Sequence, residues 1–137
     1  MKLATLKSCV CCALLGIGML SASTSVSAHH SFTMFDSTKL ATLSGTVTRY
    51  AFQMPHVWFY MTVTTASGQS EEWGFEMSSP NLATRSGWGV KTLHPGDKIT
   101  VSFYPMRDGS KAGSVVSATL PDGRTLFNGN YQKAPKQ

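Results

Sequence analysis

His56-Val57-Trp58-Phe59-Tyr60-Met61-Thr62-Val63, followed after a short gap by Glu72-Trp73-Gly74-Phe75-Glu76-Met77, is the stretch that decides the fold. In its first half Val57, Phe59, Met61 and Val63 alternate with His56, Trp58, Tyr60 and Thr62, the period of two that a strand shows when one face is buried. In its second half Trp73, Phe75 and Met77 alternate with Glu72, Gly74 and Glu76, and Ala66-Ser67-Gly68 supplies the turn between them. The two segments read as a hairpin with a shared apolar side. Trp58, Tyr60, Glu72 and Glu76 are expected to face outward together.

Working outward, Leu43 to Tyr50 is β-branched and holds one glycine, as a bent or bulged strand does, and His30 to Phe35 reads as an extended start. After the hairpin, Ser79-Pro80 offers an N-cap with proline at the first helical position. Gly87 stands where a C-cap glycine belongs, so a short helix is expected near 80–86. The turn His94-Pro95-Gly96-Asp97 launches Ile99, Val101 and Phe103 on one face, and Arg107-Asp108-Gly109 leads into Ser114 to Leu120. Pro121-Asp122-Gly123 then leads into a last short strand over 124–127. Three strands, a short helix and two strands, with a final short one, is the order of an all-β, OB-fold-like Greek-key barrel of five to six strands, its helix between the third and fourth. A β-sandwich would ask for about seven strands and no helix at that point. Val57, Phe59, Trp73, Phe75, Ile99, Val101 and Phe103 are the expected core.

The beginning of the chain reads as an export signal. Lys2 and Lys7 precede an apolar run from Val10 to Leu20, and Val26-Ser27-Ala28 offers small residues for cleavage after Ala28. The run is too short for a membrane span, which needs about 20 apolar residues. The expected organisation is a signal peptide over 1–28, one barrel domain over 29–128 and a flexible polar tail over 129–137. Localisation in the periplasm follows, with no membrane span in the mature protein. Cys9, Cys11 and Cys12 all fall inside the signal, so no disulfide is expected after cleavage.

Composition bounds the function. At 42% hydrophobic and 14% charged residues the chain is an ordinary globule rather than a disordered or fibrous one. The formal net charge is +5; loss of Lys2 and Lys7 leaves ten basic against seven acidic residues, or +3, with no basic run. A nucleic-acid partner is not expected on that balance.

Taken together, Ala28-His29-His30-Ser31-Phe32, Met34-Phe35-Asp36, Leu43 to Val47, Pro55-His56-Val57-Trp58, Ser79-Pro80, Gly87-Trp88, Pro95-Gly96-Asp97, Arg107-Asp108-Gly109 and Leu120 to Arg124 resemble a family of small exported bacterial proteins, a domain of unknown function. The resemblance covers nearly all of the chain after the signal and implies an exported single domain without implying an activity. Met54 stands where the family usually has Asn, and His94 where it usually has Lys, so His94 gains no support as a site residue.

Cleavage after Ala28 makes His29 the terminal residue, which joins a free α-amino group to an imidazole in one chelating unit, with His30 adjacent. These groups titrate near ~8 and ~6.5 and suit late divalent metals, copper above all. His56, at the entrance to the second strand, is the expected further ligand, and Met34, Met54 and Met61 are soft donors of which Met61 belongs to the core alternation. Against this stands a solvated terminus without a metal. Trp58, Tyr60, Glu72 and Glu76 form a candidate ligand face of a kind OB-folds use. The alternative is that the aromatics pack across strands, or lie under a terminal segment carrying Phe32 and Phe35.

Glu72 and Glu76 are not an acid and base pair, since four residues along a strand span about 13 Å against the ~5 to 9.5 Å of glycosidases. No nucleophile elbow, phosphate loop, haem site or closed Cys/His zinc pattern occurs, so familiar nucleophilic, nucleotide and haem chemistries lack support and a binding module is the leading reading. The expected function is a periplasmic module that captures copper(II) through His29, His30 and His56. The alternative is a metal-free module that binds a saccharide, peptide or protein on the aromatic face.

Overall fold

A computed structural model describes residues 32–129. The elements run β1 (Ala41–Ala51), β2 (Trp58–Thr64), β3 (Ser70–Glu76), α1 (Pro80–Arg85), β4 (Lys98–Pro105), β5 (Ala112–Thr119) and β6 (Thr125–Phe127). The sheet order is β3-β2-β1-β4-β5-β6, and β3 also pairs in parallel with β5 through Gly74↔Ala112, Phe75↔Gly113 and Glu76↔Ser114. That last pairing closes β1 to β5 into a barrel and leaves β6 as an added strand, so the fold is the expected OB-like one. The signal segment and both His29 and His30 lie outside the described residues, as does the tail beyond Gly129.

The barrel closes because its alternating residues fill it. Val57, Phe59, Met61 and Phe75 from the hairpin meet Ile99, Val101, Phe103 and Val115 inside. Phe59 and Phe75 stack with centroids 5.1 Å apart, and Phe103 meets Phe75 edge-on at 5.0 Å. Trp73 departs from expectation: it packs on the core but stays partly exposed, because β3 is paired with β5 only from Gly74 onward.

Three local readings also change. The bulge in β1 falls between Val47 and Arg49 rather than at Gly45; Gly45 is needed for space, since a Cβ there would meet the Thr62 carbonyl oxygen. Ser79 occupies the N-cap without a side-chain cap bond, although its carbonyl accepts from Ala83 N at 2.9 Å. Gly87 does end the helix with φ of 89°, while Thr84 and Ala83 carbonyls accept from Gly87 N and Trp88 N. Finally, 32–34 form a single 3-10 turn instead of an extended start, closed by Phe35 N donating to the Phe32 carbonyl at 3.1 Å.

Candidate functional site

The outer face of the hairpin carries the sequence-predicted residues, and the register sets their neighbours. Trp58 stands opposite Glu76, Tyr60 opposite Gly74 and Thr62 opposite Glu72. His56, two residues before Trp58, is therefore a diagonal neighbour of Glu76 on the same face. Its Nδ1 meets Glu76 Oε1 in a hydrogen bond, with the His56 side chain 38% exposed and that of Glu76 only 8%. Glu76 is thus on the expected face but buried, a correction to the outward reading. Glu76 also pairs in parallel with Ser114 on β5, and that long-range contact has no local pattern in the sequence.

The other end of the face is filled. Trp58 and Tyr60 lie nearly parallel with centroids 6.1 Å apart, and the Arg49 guanidinium sits 3.9 Å from the Tyr60 ring centroid. Gly74 leaves room for these rings, since a Cβ on it would come within 3.2 Å of Tyr60 and 3.7 Å of Trp58. Tyr60 thus packs across strands on Arg49 and along its own strand on Trp58, and both rings stay partly exposed. Phe32 and Phe35 do not cover them. They pack instead on Tyr104, with Val116 beneath, on the outer side of β4 and β5. Glu72 is exposed at the far end of the face from His56.

The N-terminal segment is held where it lies. Asp36 N donates to the Pro105 carbonyl at 2.8 Å, Arg107 N to Met34 O and Arg107 Nε to Thr33 O, both at 2.9 Å. The Thr38 hydroxyl, 2.6 Å from Asp36 Oδ1, and then the Lys39 ammonium at 3.1 Å hold the Asp36 carboxyl down at about 2. Burial pushes the Tyr50 phenol well above its ordinary range, and its hydroxyl donates to the Gly89 carbonyl.

Docked in this way, Phe32 forms one wall of a hollow of about 370 Å³ whose other walls include His56, Glu76, Ser78, Leu82 and Asn128. Sequence reasoning singled out His56 and Glu76 but missed Ser78, Leu82, Ser114 and Asn128 there. Asn128 ties the floor together: its Oδ1 accepts from Ser78 N and its Nδ2 donates to the Val115 carbonyl. Those partners lie 50 and 13 residues away, so no spacing rule could have found them. His94 is elsewhere, in its turn beside Asp97. Met61 is core, as expected, and Met54 is 65% exposed. Among the described residues no three His, Cys, Asp or Glu side chains converge on one point.

The family model for DUF6152, a family of unknown function, matches residues 16–116. The chain belongs to that family. Among curated proteins none matches it. Among solved structures it is similar to the mitochondrial single-stranded DNA binding protein Rim1 of S. cerevisiae, at 10% identity and a TM-score of 0.46 over 66% of this chain and 96% of that one. Among the described residues of this family member no helix is long and apolar enough to cross a membrane.

Proposed function

We propose that the protein is an exported binding module that captures copper(II) between His56 and the N-terminal histidines, His29 and His30. The observation that supports this reading is the His56–Glu76 pair. A metal-ligating histidine characteristically gives one ring N–H to a carboxylate, which fixes its tautomer and leaves the other nitrogen for the ion. Glu76 takes Nδ1, which leaves Nε2 of His56, a residue lining the hollow, without that partner. Phe32, three residues after His29, lines the same hollow, and three residues of chain reach at most about 10 Å. The amine and imidazole of a terminal His29 complete a nitrogen donor set of the kind copper(II) favours. Glu76 then acts by orienting His56 and raising its basicity rather than as a ligand.

The test is a copper(II) titration of protein carrying its native His29 terminus. Uptake of one equivalent, tighter than that of a free His-His-Ser-Phe peptide, is expected. His29→Ala removes most of the affinity, His56→Ala lowers it by about tenfold or more, and His94→Ala leaves it unchanged. An extra Met ahead of His29 weakens uptake by blocking the amine chelate. Binding no tighter than the peptide's, or insensitive to His56→Ala, overturns the shared site.

A further inference from the structure

We propose that the hollow beside His56 and Glu76 is a binding site for a small organic monocation, a primary ammonium carried on a flat apolar body. Its volume of about 370 Å³ falls in the range of roughly 300–1,000 Å³ that small-molecule sites occupy. Phe32 and Leu82 stand 47% and 38% exposed on its rim, and Met77 lines it from within. Two exposed apolar side chains facing one hollow leave water only when an apolar body lies between them. An aromatic wall also attracts a cation.

The polar floor selects the head group. Glu76 spends Oε1 on His56, and no described group hydrogen-bonds its second carboxylate oxygen. With Nδ1 engaged by the carboxylate, Nε2 of His56 is left as a lone-pair acceptor. Ser78 Oγ is buried and has no hydrogen-bond partner among the described residues. Among the described residues no Lys or Arg lines the hollow. The second oxygen of Glu76 and Nε2 of His56 give two acceptor positions at one carboxylate, with the Ser78 hydroxyl buried behind them, and match a group with several donors and a positive charge. An ammonium supplies three N–H donors, an alcohol only one, and an anion is repelled by Glu76.

The inference goes beyond copper capture and does not need it: the ammonium is bound by the metal-free protein, and because both use His56 they compete.

The experiment titrates metal-free protein, in the presence of a chelator, with 2-phenylethylammonium, followed by calorimetry and by amide NMR shifts. One-to-one saturation is expected, with shifts centred on Ser78, Leu82, Ser114 and Asn128. 2-Phenylethanol should bind about tenfold more weakly or worse, and 3-phenylpropionate should not saturate. Glu76→Gln, close in shape, should lower ammonium affinity by about tenfold. Leu82→Lys sets a cation on the exposed face of α1 without touching the core, and it should abolish binding even if Glu76→Gln fails to fold. Absence of saturation by about 10 mM, equal affinity for the alcohol, or shifts centred elsewhere overturns the proposal. Copper uptake is measured on separate samples, so either reading can fail while the other stands.

Discussion

The outer face of the β2–β3 hairpin has two ends built on the same alternation and put to different ends. At Tyr60 the neighbour across the strand is Gly74, and the rings of Tyr60 and Trp58 spread over the space it leaves while Arg49 covers the Tyr60 ring. Both rings have packing partners there. His56 lies just ahead of the strand, its neighbour is a carboxylate, and α1 and the N-terminal turn stand off to leave a hollow. An aromatic pair marked the first end as a candidate ligand face, yet it is the second end that keeps polar atoms unspent. The two ends differ in what they leave open: partly exposed rings that have packing partners at one, a buried carboxylate whose partner reaches solvent at the other.

The largest effect should come from the core on which both ends rest. Phe59→Ala removes a fully buried ring stacked on Phe75, and denaturant unfolding should register a loss of roughly 3 to 5 kcal/mol. A loss below about 1 kcal/mol would mean that the inward face of β2 is not the core face. Next comes the packed end: Tyr60→Ala should cost roughly 1 to 2 kcal/mol and Arg49→Ala about 0.5 kcal/mol, with the double variant costing less than the sum because the two side chains share one contact. Additive losses would dissolve that packing. At the open end Glu76→Gln should change stability by less than about 1 kcal/mol, since the pair it weakens reaches solvent through His56. A loss as large as that of Phe59→Ala would make the His56–Glu76 pair part of the core and remove the contrast between the two ends.

How much of this was legible follows from what kind of contact each feature needs. The hairpin, the faces of β2 and β4 and the helix between β3 and β4 rest on periods and turn residues a few positions apart, and the barrel order follows from them. Glu76 shows the boundary. Its alternation put it on the outer face correctly, but it also sits where β5 closes the barrel in parallel from a distant part of the chain, opposite Ser114. The hollow is less legible still, because its walls come from the N-terminal turn, β3, α1, β5 and the residue after β6. His56 was readable as a candidate by its residue type and position, whereas Ser78 and Asn128 carry no type-specific mark and acquire meaning only from each other.

The smallest effect expected is an acid-dependent one, and it concerns how Phe32 is kept at the rim. Asp36 anchors the N-terminal segment through Thr38 and Lys39, and its own amide bonds to the Pro105 carbonyl. In the folded protein its carboxyl titrates at about 2, against about 3.9 in an unfolded chain. Between those values the unfolded state binds more protons, so the contribution of Asp36 is complete above about pH 4 and is lost as pH falls toward 2. Hydrogen exchange of the Asp36 amide, referred to a core amide such as that of Val101, should therefore show a protection ratio that is level above about pH 4 and declines below it. In Asp36→Asn the ratio should be lower throughout and level across that interval, because no carboxyl remains to titrate. A wild-type ratio that stays level down to pH about 2, or an Asn variant that keeps the decline, would show that other groups hold the segment and that Phe32 does not depend on Asp36 for its place.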